Sequence, residues 1–179
     1  MTVMDKVSSQ TRNIMNLVFD KEPLNYIEAA GLYGIIAQGR FNAAVLQVLY
    51  NHANDSELKA LIKEAIDKHT EMTVAEAEDK LTGSDGHTPA LKFVRRNLHS
   101  SPLNIPDDAR LTDQEIAIAV GTLAKGAQMA LLSALHQSYQ LDVALMFRKA
   151  LDDGLDWDYR LLQLMLNRDW LPHLSKITH

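Results

Sequence analysis

The sequence predicts an all-α protein, a bundle of four long helices. Three observations carry that expectation. Apolar residues recur at intervals of three and four rather than two, the period of a helix with one buried face. Alanine, leucine and methionine supply most of the apolar set, while aromatic residues, which favour strands, make up only 6% of the chain. Three pairs of cap residue and glutamate mark helix beginnings: Asn25 with Glu28, Asn54 with Glu57, and Thr112 with Glu115. In such a box the cap side chain accepts from the third backbone N–H and the glutamate reaches back to the cap's own N–H.

The elements follow in order. Residues 1–22 are expected to form a short extra helix with Ile14, Leu17 and Val18 facing inward. The first long helix runs from Tyr26 to about Asn51. The second runs from Asp55 to about Leu81, where "TGSDG" stops it. The third runs from Asp113 to about Gln137, with Leu111 and Ile116 placed as a hydrophobic staple. The fourth, capped by Ser138, continues to about Arg168 before "DWLP". Each spans about 40 Å at the rise of an α-helix. "HAND" and "HQSYQ" are tight turns, so the first and second helices, and the third and fourth, form antiparallel hairpins. Residues 82–111 form a crossover long enough to return along the whole bundle, which makes the second and third helices parallel. Its middle, "ALKFVRRNL", reads as a short helix. The whole of 1–179 is expected to be one domain. Gly31, Gly34 and Gly39 in the first helix, and Gly121 and Gly126 in the third, each cost about 1 kcal/mol relative to alanine. They are expected to mark places where helices approach closely.

Composition excludes several classes of function. A net charge of −5 and a pI near 5.8 equip the surface poorly for nucleic acid, and no Lys/Arg run is longer than Arg95–Arg96. With no cysteine there can be neither disulfide nor thiolate metal site, which fits a reducing cytoplasm. No stretch reads as a signal peptide or as the roughly 20 apolar residues of a membrane span. The expectation is a cytoplasmic protein without nucleic-acid or membrane partners.

Chemistry is concentrated in "EAIDKHTEMTVAEAED", residues 64–79, where His69 sits among carboxylates. A di-metal centre in a bundle takes a Glu from each of two helices and a Glu-x-x-His from each of the other two. The pattern is not met here. Ile66 stands three residues before His69, and the mid-height residues of the first and third helices are Gln38, Asn42, Lys125 and Gln128. His69 continues the apolar line Leu58, Ile62, Ala65, His69, Met72 and so points inward. A second cluster, Glu28, Glu78, His136 and Asp142, falls at one end of the bundle. No phosphate-binding loop, dinucleotide turn or nucleophile elbow is present. These residues favour a non-enzyme without a cofactor. The alternative is iron or manganese held by His69 or by Glu28, Glu78, His136 and Asp142.

The stretches "EAAGLYG", "NDSELKALI", "LTDQEIAIAVGTLAKGA", "QLDVALMFRKALDDG" and "RDWLP" resemble an uncharacterised family of ferritin-like four-helix proteins. That family occurs in spore-forming Gram-positive bacteria and is akin to spore coat F-type proteins. The likeness covers about residues 20–173 and implies the ferritin-like bundle; the chain departs from true ferritins in lacking their paired Glu-x-x-His motifs. The function expected is therefore non-catalytic protein–protein contact, in a sporulation or stress setting, as a homodimer. The dimer is expected because the first helix (Leu32, Ile35, Ile36, Val45, Leu46, Leu49, Tyr50) and the third (Ile116, Ile118, Val120, Leu123, Leu131, Leu132) carry more apolar surface than one core-facing stripe needs. A pocket for a small apolar ligand beneath the glycines of the first helix is a further alternative.

Overall fold

The computed structural model describes residues 23–101 and 103–172. The extra helix expected over 1–22, with Ile14, Leu17 and Val18, lies outside the described residues. Helix α1 spans Tyr26–His52. Helix α2 (Ser56–Glu64), a π-helical stretch (Ala65–Glu71) and helix α3 (Met72–Thr82) follow one another without a break and form the second rod. Helices α4 (Asp113–His136) and α5 (Leu141–Asn167) complete the bundle. Among the described residues there is no strand.

The topology is the expected one. Asp113, at the start of α4, accepts hydrogen bonds from the backbone N–H groups of Asn54 (2.8 Å) and Asp55 (3.0 Å), at the start of α2. The second rod and α4 therefore begin at the same end and run parallel, and the crossover returns along the bundle between them. This is the ferritin-like arrangement of two antiparallel hairpins joined by one long connection.

The boxes at Asn25/Glu28 and Thr112/Glu115 are both formed. The one at Asn54/Glu57 is not. Asp55 caps α2, accepting from Glu57 N and Leu58 N, while Glu57 turns away to pair with Arg168. Ser138 does not cap α5; its hydroxyl donates back to Ala134 O, and Gln140 occupies the cap position without a side-chain bond to the helix. The far end of α5 closes with Asp169 in the left-handed region (φ 54°) and Trp170 N donating to Met165 O, the pairing that usually calls for glycine.

Residues 90–98 are not helical. The reason is long-range: side chains of α1 take the peptide groups that a helix would need. Gln47 accepts from Arg96 N, and Asn51 both accepts from His99 N and donates to Asn97 O, each at 2.8 Å. Arg40 donates to Pro89 O and Leu91 O. The crossover is a strap tied down by polar side chains.

The core has two parts. One gathers Leu46, Leu49, Leu58, Ile62, Ile66, Ile116, Val120, Trp157 and Leu161; the other gathers Leu32, Ile35, Ile36, Ala77, Leu81, Leu131, Val143, Met146 and Phe147. Close approach at small residues holds at Gly31, where a β-carbon would sit 3.5 Å from that of Ala134, and at Gly39, where one would collide with Val74. Gly34 has open space over it. Most of the apolar residues expected to be surplus on α1, from Leu32 to Tyr50, are buried between its neighbours. The exposed apolar surface of α1 is instead Tyr26, Ile27, Tyr33 and Phe41; on α4 it is Ile118 and Leu132, as expected, joined by Met129.

Candidate functional site

Between the two core parts lies a layer where polar side chains point into the bundle. Its shape comes from the second rod. Leu58, Ile62 and Ala65 are buried as the α-period requires, but the π turn then adds a residue. Met72, expected inward, is exposed, and the inward line continues through Thr73 and Ala77 to Leu81. The wide turn sets His69 and Thr70 side by side on the layer.

Two adjoining cavities of about 70 and 50 Å³ occupy this level. Both are lined by Asn42, His69, Thr70, Ala127 and Leu131. Trp157, Gly154 and Gln128 close the first; Gln38, Gly39 and Thr73 close the second. Gln128 Nε2 donates to Gly154 O at 3.0 Å. Asn42 is 6% exposed and has no hydrogen-bond partner among the described residues. Lys125, placed in this layer by its height along the helix, is exposed; height alone does not fix the angle around the axis.

His69 is partly buried, its ring 6.3 Å from that of Trp157. Its Nε2 is buried without a hydrogen-bond partner, 3.8 Å from Glu64 Oε1. Burial pushes the imidazole pKa below its ordinary value, against the opposing pull of Glu64, so the ring is neutral at pH 7. Glu64 is itself engaged: Arg160 donates to both its oxygens at 2.9 Å and holds its carboxyl below the usual range.

The end cluster is dispersed among separate structural roles. Glu28 is 1% exposed; besides its box with Asn25 it accepts from Tyr139 N (2.7 Å) and Gln140 N (2.6 Å), tying the α4–α5 turn to the start of α1. Glu78 pairs with Arg40 at 2.8 Å and Asp142 with Lys80 at 2.7 Å, while His136 is exposed. Among the described residues no three His, Asp or Glu side chains are grouped to hold a metal ion. The donors in the central layer are amides, hydroxyls and one neutral imidazole, which do not fit the carboxylate-rich set that a di-iron or di-manganese centre needs.

One buried charge escaped sequence reasoning. Lys59 is 8% exposed, lies over the Tyr50 ring, and donates to the carbonyls of Tyr50, Ala53 and His99. Burial lowers its pKa, opposed by Asp113. Its spacing from Ile62 and Ile66, three and seven residues on, was the available signal.

Helix α4 is the other unusual surface. By length and composition the 107–136 segment is apolar enough to cross a membrane, contrary to the expectation that no stretch would be. It instead packs in the bundle, yet only 28% of its most apolar window is buried. A shallow groove of about 230 Å³ runs between α1 and α4, lined by Ala30, Gly34, Ala130, Ser133 and Gln137 among others.

Comparison with known proteins places this architecture. The family model described as "Protein of unknown function (DUF3231)" matches residues 12–174. The uncharacterized protein YvdQ of Bacillus subtilis (strain 168) is 28% identical over 160 residues, covering 87% of this chain and 92% of its own. A candidate spore coat protein of Bacillus halodurans C-125 has a crystal structure that superposes with a TM-score of 0.79 at 25% identity, over 89% of this chain and 99% of that one. A two-domain protein of Anabaena variabilis ATCC 29413, with DJ-1/ThiJ/PfpI-like and ferritin-like domains, gives a TM-score of 0.63 at 18% identity, over 85% of this chain and 40% of that one; it supports the fold alone.

Proposed function

We propose that this chain, which belongs to the DUF3231 family, is a non-catalytic bundle that acts by self-association through the α1–α4 face, in the sporulation setting suggested by its likeness to the Bacillus halodurans protein. One observation carries the reading: α4 is strongly apolar, yet only 28% of its most apolar window is fully buried. From Ala117 to Leu135 its one charged residue is Lys125, and from Ala29 to Tyr50 α1 has only Arg40. On α4, Ile118, Met129 and Leu132 are exposed, and a small-residue groove runs between its last two turns and α1. A face that carries both protruding side chains and a groove suits a two-fold contact, where each copy supplies both halves. Patches of this kind on soluble proteins mark interaction sites. A bilayer is the less suitable partner, because Lys125 stands exposed at the middle of the helix, where immersion costs most.

Sedimentation equilibrium at micromolar concentration is expected to give twice the 20.0 kDa chain mass. Met129→Glu should return it to one chain mass without loss of helical circular dichroism. A wild-type species of one chain mass at all concentrations overturns the reading, and so does flotation of the protein with lipid vesicles. Metal analysis of untagged protein is expected to find iron and manganese far below one per chain.

A further inference from the structure

The central layer carries an inference independent of self-association. Asn42 is more than nine-tenths buried, lines both cavities and has no hydrogen-bond partner among the described residues; His69 lines them too, with its Nε2 shut off on the Glu64 side. A buried amide with neither its donors nor its acceptor engaged is costly, and a fold tolerates it where something else supplies the bonds. The cavity walls carry no charged side chain other than the titratable His69. A π turn inside an α-helical rod, a feature often found at functional sites, places His69 and Thr70 on the layer.

The space limits what fits. At about 30 Å³ per water in the liquid, roughly two molecules fill the larger cavity and one or two the smaller. A benzene-sized ligand needs a cavity of about 150 Å³, so an apolar ring is too large. An access route is also present. Gly39, Thr70 and Val74 line the smaller cavity and also the floor of a groove of about 660 Å³ beneath the strap. Gly39 keeps that boundary thin, since a β-carbon there would collide with Val74.

We propose that the cavity between Asn42 and His69 is a binding site for small uncharged molecules that both donate and accept hydrogen bonds, reached from the groove under the strap past Gly39. Water and a small amide share that chemistry, and the test separates them. In NMR of the labelled wild-type protein, the Asn42 side-chain amide should show cross-relaxation with water of long residence. Formamide, added as the probe, should shift the Asn42 amide and Trp157 indole signals saturably, and Asn42→Leu should abolish the Trp157 response. Water contact without a saturable formamide response still supports the site and restricts its ligand to water. Gly39→Ala should slow formamide exchange at least tenfold, and adding Val74→Ala should restore it. No long-lived water at the Asn42 amide together with no saturable formamide response overturns the proposal. Stoichiometric binding of added iron or manganese that perturbs Asn42 and His69 also overturns it. All the deciding arms use the wild-type protein, so a variant that fails to fold leaves the test intact.

Discussion

The two ends of the bundle each bury one charge, and the charges have opposite signs. At one end Glu28 is shut away from solvent and accepts from the backbone N–H groups of Tyr139 and Gln140, where α5 is about to begin. At the other Lys59 is nearly as buried and donates to the carbonyls of Tyr50 and Ala53, where α1 is ending, and to His99 of the strap. A helix beginning presents unpaired N–H groups and partial positive charge; a helix ending presents unpaired carbonyls and partial negative charge. Each buried ion has the sign its helix terminus needs. The comparison teaches that the connections are fastened by single ions satisfied by backbone, with little help from counter-ions. It also exposes a difference in kind. Glu28 fixes a tight turn to the start of α1, whereas Lys59 fixes the long strap, a segment with far more freedom to re-solvate.

The largest expected effect follows from that difference. Glu28→Ala leaves the Tyr139 and Gln140 N–H groups and the Asn25 side chain without their acceptor. A loss of about 3 kcal/mol is expected, read as a lower urea midpoint with an unchanged slope. Glu28→Gln keeps one acceptor oxygen and should lose about half as much; a loss near zero would show that charge contributes little at this end, and a loss equal to that of Glu28→Ala that the neutral oxygen does.

Lys59→Met keeps the apolar stem and abandons three carbonyls, one of which, that of His99, can turn toward water as the strap loosens. About 1–2 kcal/mol is expected. Amide exchange should quicken at Arg96 and His99, whose N–H groups are held by side chains on α1. A cost above that of Glu28→Ala would reverse the comparison. Smaller again, Asp55→Ala should cost about 1 kcal/mol through loss of the α2 cap, while Asn54→Ala should stay within about 0.5 kcal/mol.

The smallest effect belongs to the middle of the bundle. The folded-state pKa of His69 lies below its unfolded value, so the unfolded chain binds the proton first. Stability contributed by the neutral ring is therefore complete above about pH 6.5 and declines as the pH falls through that value toward the lower folded pKa. In denaturation series at pH 7.5 and 5.5, His69→Leu should show a shallower decline than wild type. Parallel lines would mean that the imidazole protonates without disturbing its site.

Much of this architecture was legible in the chain. Apolar period and connection lengths supplied the four rods and their directions, because both are local or counted along the sequence. Two of the errors share a cause, which is competition from residues far away. Asn54 and Asp55 are both good caps, and the choice falls to Asp55 because Asp113 already accepts the Asn54 N–H. "ALKFVRRNL" has the composition of a surface helix, but Gln47 and Asn51 take its peptide groups from 46 to 49 positions away. The Asn25/Glu28 box was readable, whereas its second task at Tyr139 joins residues 111 apart. In the central layer His69 and Asn42 could be placed, but not the π turn that aligns Thr70 and turns Met72 outward, since nothing in "AIDKHTE" announces a wide turn.

That wide turn makes the second rod a splice between two helical phases. Each residue advances an α-helix by about 100°, so one residue absorbed in a π turn offsets everything beyond it by that angle. The pairs Arg40–Glu78 and Lys80–Asp142 lie wholly on the far side of the splice, and the cap at Asp55 lies wholly on the near side. The chain can therefore count differently at its two ends while presenting one continuous element to its neighbours. Removing a single residue between Ala65 and Glu71 should therefore leave a shorter, more regular helix whose halves still face the same partners, and abolish the wide turn that sets His69 and Thr70 side by side.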